Sequence, residues 1–403
     1  MPHDSPPSGS GPDDAHGPGP TGEGPPVLSR SDLRRQARRN RSGWVRAGWY
    51  GLGVAVVIGA ALVVVGLNQG KKAAAKAPTT TTTTAPVPVV LCPLTGAPAP
   101  GGTVPARPAL GVKIGNYSGD RPSAGLNQAD IVFEEPVEGA ITRLVAVFQC
   151  RGTSLVGDLR SARQPDAGIL SQFSEPIFVH AGGINPVLNL LASSPLIDKN
   201  LLFASGSTMI HPAGRVAPYA TFADTSTLWA LDPGDTTPPA PIFPYSAALP
   251  GGAVPGSGAS VHIPFSASSD VTWQWSASAG AYLRSYSGTP DKLLDGSQTA
   301  AANVVVMTVP TFIGYWVENE QGGREVNVTA TGSGPLVVMR NGTAIAGTWS
   351  RAALTQPATL TAAGGTPITL QPGNTWVELV PDGIPVTTAP VPAAAPAPST
   401  TTR

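Results

Sequence analysis

An α+β or α/β domain followed by a small all-β domain, an antiparallel sandwich or barrel, with one transmembrane helix ahead of both, is the architecture this sequence predicts. Three observations predict it. A long uncharged run follows an arginine cluster near the N-terminus, strand-like and helix-like stretches intermix in the middle of the chain, and only strand and turn signals occupy the stretch after that. The 403 residues leave room for two or three cores of ordinary size. Yet 47 Gly and 44 Pro, with only 12% charged residues, indicate folded parts separated by unstructured tracts. The formal net charge of +0 offers no long-range field for nucleic acid, which is excluded as a partner.

Residues 1–43 predict a disordered cytoplasmic tail ending in a basic segment, because "MPHDSPPSGSGPDDAHGPGP" lacks the large apolar side chains needed to offset ordering entropy. "RSDLRRQARRNRSGWVR", residues 30–46, sets seven Arg against one Asp, and "AGWYGLGVAVVIGAALVVVGLNQG", residues 47–70, then carries no charge. About 20 apolar residues cross a ~30 Å hydrocarbon core, so a membrane-spanning helix is expected over 44–68. Arginines beside a span stay in the cytoplasm, which puts the N-terminus inside and the main domains outside, with Trp44, Trp49 and Tyr50 at the inner interface. A cleaved signal peptide cut near "AAAKA" is the competing account, but signal cores are shorter and start closer to the N-terminus. The lipid bilayer is thus the first expected partner, and the protein is expected at the cell membrane as a single-pass chain.

Residues 69–90, including "KKAAAKAPTTTTTTAPVPVV", read as a stiffened Pro/Thr linker. Beyond it lie the two cysteines, Cys92 and Cys150. An oxidising compartment favours their pairing, and such a bridge contributes ~3 to 4 kcal/mol. The α/β domain is expected over 91–233. "ALGVKIG", "ADIVFEEP" and "AITRLVAVFQC" read as strands, "QPDAGILSQF" as a helix, "EPIFVHAGG" as a buried strand ending in glycines, and "NPVLNLLASS" as a helix with Pro in its first turn. A Pro/Gly-rich connection covers 234–257. In the all-β domain, 258–381, "DVTWQWSAS" alternates Val271, Trp273 and Trp275 with Thr272, Gln274 and Ser276. "PLVVMRNGTAIAGTWSR" holds Asn341-Gly342 between two strand-like runs, the most specific short hairpin signal, and "TPITLQPGNTWVELVP" suggests a second turn at Pro-Gly-Asn. Residues 382–403 return to the character of the linker.

The stretches "CPLTGAPAP", "RPALGVKIGN", "RPSAGLNQADIVFEEPVEGAITRLVAVFQ", "GDLRSAR" and "FVHAGG" together resemble the first domain of the YerB-like family of bacterial envelope lipoproteins, a family largely of unknown function. "AYLRSYSGTP", "NVVVMTV", "LVVMRNGTAIAGTWSR" and "LQPGNTWVELVP" resemble its second domain. The resemblance implies a two-part extracytoplasmic protein of a Gram-positive envelope. Two departures stand out: a helix where many members look lipidated at a cysteine, and "RVAPYATF", residues 215–222, where a His and an Asn are expected after the Pro.

Charges placed among apolar residues supply the site candidates. On the strand beginning near Ala140, Arg143 shares a face with Ile141 and Val145, and a buried guanidinium needs a carboxylate or a bound anion. Glu134, Glu135 and Glu138 are the nearest carboxylates. Arg160 and Arg163 bracket Ser161 ahead of a helix and could grip a phosphate or carboxylate, with Asn116 at the end of a strand as a further polar contact. His180 closes an apolar strand before two glycines, where α/β sheets place ligand sites. Neither metal ligation nor a cofactor motif is present: five His are scattered, and HExxH, paired CxxC, Walker, GxSxG and GxGxxG patterns are absent. Three functions follow. The first is an accessory module that binds an anionic cell-wall polymer or an envelope protein through Arg143, Arg160 and Arg163. The second is a glycan hydrolase or transferase with Glu138 and His180 as acid and base. The third makes Trp273, Trp275, Trp316, Trp349 and Trp376 a sugar-stacking platform in the β domain.

Overall fold

Runs such as Asn303–Val309, with Val304, Val305, Val306, Thr308 and Val309, and Thr375–Pro381 are rich in β-branched residues and buried almost throughout, the pattern of strands covered on both faces and not of a helical stripe. The computed structural model describes residues 89–203 and 208–391. The tail, the span expected over 44–68 and nearly all of the linker therefore lie outside the described residues. Among the described residues no helix is long and apolar enough to cross a membrane.

In the first half the strands are β1 (Leu110–Gly115), β2 (Ile131–Val137), β3 (Ile141–Phe148), β4 (Val156–Gly157), β5 (Ile177–His180), β6 (Ile197–Asn200) and β7 (Phe222–Ala223). Three short α-helices accompany them: α1 (Pro165–Leu170), α2 (Asn185–Ser193) and α3 (Thr225–Trp229). The second half contributes β8 (Ser260–Ser266), β9 (Ser269–Ser276), β10 (Ala281–Tyr286), β11 (Thr289–Pro290), β12 (Ala300–Ala301), β13 (Asn303–Val309) and β14 (Thr311–Val317). It continues with β15 (Arg324–Val328), β16 (Gly332–Arg340), β17 (Thr343–Arg351), β18 (Thr359–Ala362), β19 (Thr375–Pro381) and β20 (Thr387–Ala389).

One ten-stranded mixed sheet, in the order β18-β17-β16-β13-β19-β2-β3-β1-β5-β6, runs through both halves. Its seam is β19, which lies parallel to β13 on one side and parallel to β2 on the other. A smaller sheet, β11-β10-β9-β8-β20, covers part of one face. Its Val261, Val271, Trp273 and Tyr282 share a core with Val112, Val132, Leu144 and Trp376. On the opposite face Ile169, Leu170, Val187 and Leu191 of the helical segments pack with Phe133, Val145, Val305 and Val377.

This overturns the expected fold class. The described residues are mostly β with few helices, and the first region does not form an α/β domain with its own sheet. Nor is the second region an antiparallel sandwich or barrel, because its strands divide between two sheets and β19 pairs only in parallel. The helical stretches were placed correctly but are too short to form a layer, and a strand's partner depends on contacts far away in sequence. The Asn341-Gly342 hairpin is present: β16 and β17 pair antiparallel across it, and both turn residues have positive φ, +49° and +66°. The turn expected at Pro-Gly-Asn makes no hairpin, since the strand it leads into is β19. Cys92 and Cys150 are joined as a disulfide beyond the end of β3.

Candidate functional site

The strands β1 and β5 run parallel, and both end at the same edge of the large sheet, at Gly115 and His180. "DLRSAR" is laid against these two ends by backbone bonds: Gly115 N donates to Asp158 O at 2.9 Å, Arg160 N to Lys113 O at 3.0 Å, Ala181 N to Arg160 O at 2.9 Å and Ala162 N to Gly182 O at 2.9 Å. Gly115 has no side chain for a reason. A Cβ there would collide with the Asp120 carboxyl and the Arg160 side chain.

Behind this edge Arg143, on β3 opposite Gly115, is buried as its alternation with Val145 predicts. Its Nη1 donates to Ser161 O at 2.7 Å, and its Nη2 lies 3.6 Å from Glu138 Oε1. Arg163 grips the same carboxylate with two donors, Nε to Oε2 at 2.8 Å and Nη2 to Oε1, while its Nε lies 3.3 Å from Glu318 Oε2. Burial alone would raise the Glu138 carboxyl, but the Arg163 hydrogen bond and the charges of Arg143 and Arg163 hold it below its ordinary value. Burial, and then the neighbouring charge of Arg163, lower the Arg143 guanidinium to about 10 against the pull of Glu138. The three arginines of this corner meet three carboxylates, Glu138 and Glu318 inside and Asp120 at the rim.

At the rim Arg160 is the more accessible of the three arginines. Its Nε is 3.4 Å from Asp120 Oδ1, its Nη1 donates to Pro218 O at 2.9 Å, and its guanidinium lies 5.3 Å from the Tyr219 ring centre. Tyr219 is stacked loosely on the exposed Tyr117, with ring centres 6.4 Å apart. Arg215 ties the loop together by donating from Nη2 to Asp120 O at 2.5 Å and from Nη1 to Arg121 O at 3.2 Å. Beneath them Asp158 is fully buried, and burial, with the nearby Asp120 charge, pushes it up to about 7.

Of the residues singled out in the sequence, Arg143, Glu138, Ser161 and Arg163 converge, and Arg160 adjoins them at the rim. Asn116 and Glu134 lie on the other face of the sheet: Asn116 Nδ2 donates to Glu134 Oε1 at 3.1 Å, and Arg284 of β10 pairs with Glu134 Oε2. Glu135 is taken by the buried Lys113, which also bonds Asp166 at 2.7 Å. His180 is buried between Gly182 O, 2.7 Å from Nδ1, and Asp198 Oδ1, 2.8 Å from Nε2. Glu138 and His180 therefore sit in separate pairs and do not face one cleft. Trp273, Trp349 and Trp376 are core residues, and Trp273 meets Trp376 edge-on at 5.1 Å inside the protein. Asp120, Asp158, Arg215, Tyr117 and Tyr219 were missed. The segment "RVAPYATF" pointed to part of this loop, whereas nothing local distinguishes Asp120 from an ordinary turn residue.

Residues 94–236 match the family described as "Protein of unknown function (DUF3048) N-terminal domain", and residues 261–377 match "Protein of unknown function (DUF3048) C-terminal domain". YerB of Bacillus subtilis (strain 168), whose name assigns it provisionally to the lipoproteins, is 27% identical over 302 residues, covering 72% of this chain and 86% of YerB. A crystal structure of YerB protein from Bacillus subtilis is similar in fold, with a TM-score of 0.63 at 22% identity over 74% of this chain and 100% of that one.

Proposed function

We infer, on the premise that the chain belongs to the DUF3048 family of proteins of unknown function, that it is a membrane-associated envelope protein that binds an anionic ligand at the Arg160 rim. The lipoprotein designation of its Bacillus relative supports the envelope location. One observation carries the binding role: Arg143, Arg160 and Arg163 gather at the ends of β1 and β5, and burial plus mutual repulsion already lower Arg143 to about 10. Arg160 is the most accessible of the three, and beyond its 3.4 Å contact with Asp120 and one bond to Pro218 O its guanidinium keeps donors for an oxyanion. Arg163 and Arg143 stand behind, committed to Glu138 and Ser161, and position the loop that carries Arg160.

The test is cosedimentation of the full-length protein in detergent with purified anionic cell-wall polymer. Retention that weakens as salt rises is expected, together with about a tenfold loss for Arg160→Ala, the size of one charge-assisted contact. Retention by the variant equal to that of the native protein would remove Arg160 from the site. Release of soluble fragments would instead make the protein a hydrolase.

A further inference from the structure

A second feature, one loop away from Arg160, extends that site across the surface. A groove of about 370 Å³ is lined by Arg121, Pro122, Tyr286, Thr289, Pro290, Asp291 and Lys292. Asp291 is engaged by Arg284 Nη1 at 3.0 Å. The Arg121 guanidinium sits over Tyr286, 3.8 Å from its ring centre, and neither it nor Lys292 has an ion-pair or side-chain hydrogen-bond partner among the described residues. Tyr286 is nine-tenths buried, yet its hydroxyl has no hydrogen-bond partner. Two cations without ion-pair partners on one groove suit an oxyanion, and the Tyr286 ring beneath Arg121 holds one of them in place.

The groove and the rim are physically joined. Arg121 follows Asp120, the partner of Arg160, and Arg215 clasps both by their carbonyls. Arg160, Arg215, Arg121 and Lys292 thus make a basic track from the large sheet to the smaller one. We propose that this track is a single extended site for a linear polymer carrying an oxyanion on each repeat, such as a polyol phosphate chain, with Arg160 and the Arg121–Tyr286–Lys292 groove holding successive anionic groups. The proposal rests on the anion-binding reading of Arg160.

Two tethered contacts raise avidity without new chemistry, so chain length is the variable that reads it. Inorganic tripolyphosphate and long-chain inorganic polyphosphate serve as probes, with calorimetry on the full-length protein in detergent. Long chains are expected to bind at least about tenfold more tightly per chain than tripolyphosphate, with steeper salt dependence. The Arg121→Ala, Lys292→Ala double variant should erase that advantage. Lys292→Glu, at an exposed position without partners, gives the same result with no burden on folding. Equal affinity for short and long probes, or a length advantage that survives both variants, overturns the extended site while leaving Arg160 intact. Failure of both probes to bind the native protein overturns the Arg160 reading itself.

Discussion

Glu138 and Asp158 are two carboxylates of the same loop system that answer to pH in opposite senses. Glu138 is held below its ordinary 4.5 by arginines, so its contribution to stability is present above that value and is lost as pH falls through its folded value. Asp158 is raised from 3.8 to about 7, so its folded form prefers the proton; its contribution is full below 3.8 and disappears as pH rises towards and past about 7. Asp158→Asn removes that dependence. The melting temperature of the variant, relative to the native protein, should therefore rise steadily between pH 4 and pH 8, and a flat difference across this window would mean that Asp158 is not buried as a proton-carrying group. Glu138→Gln tests the other sense. It takes from Arg143 and Arg163 the carboxylate they share, leaving Arg163 only Glu318, and should cost ~3 kcal/mol in urea unfolding at neutral pH, with the deficit shrinking in acid.

Within single elements the sequence was a good guide wherever short-range chemistry decides the outcome. Asn341-Gly342 announces its turn because only residues tolerant of positive φ close a two-residue hairpin, and the alternation of Val271 and Trp273 places both in the core of the smaller sheet. Arg143 was legible for the same reason: period-two geometry puts it on the face of Val145, and its carboxylate lay within a few residues. Glu134 was not, since its partner Arg284 is 150 residues away. Arg340 illustrates what sequence conceals at this scale. It closes β16, yet its guanidinium donates to Thr369 O at 2.6 Å, Ser246 O at 2.8 Å and Ala247 O at 3.2 Å, binding the connecting segment to the sheet without any carboxylate. Arg340→Met keeps the stem and removes the donors. It should destabilise the protein by ~3 kcal/mol through carbonyls left unpaired, and hydrogen exchange should accelerate at 244–248 before it does at β13.

Over the whole molecule the deciding element is β19. A sequence divided by a Pro/Gly-rich connection suggests two cores, and the helix-like and strand-like signals on either side agree with that division, but neither signal carries strand order. In the fold, β19 closes the gap between β13 and β2 and places Trp376 beside Val132 and Val377 beside Phe133. Without it β2 is an edge strand with a row of open hydrogen-bonding groups, and without the rest of the second half Val132, Leu144 and Ala146 lose the smaller sheet that covers them. The Cys92–Cys150 disulfide closes a loop of 58 residues at the far end of β3 and restrains the unfolded chain, which is worth ~4 kcal/mol, but it covers none of that apolar face. A fragment of residues 89–257 with the disulfide intact should accordingly bind a hydrophobic dye and melt without a cooperative transition, and adding residues 258–391 as a separate chain should restore cooperativity. Cooperative melting of the fragment alone would show that the first half carries a core sufficient for itself, and β19 would then be an addition to a finished fold and not its keystone.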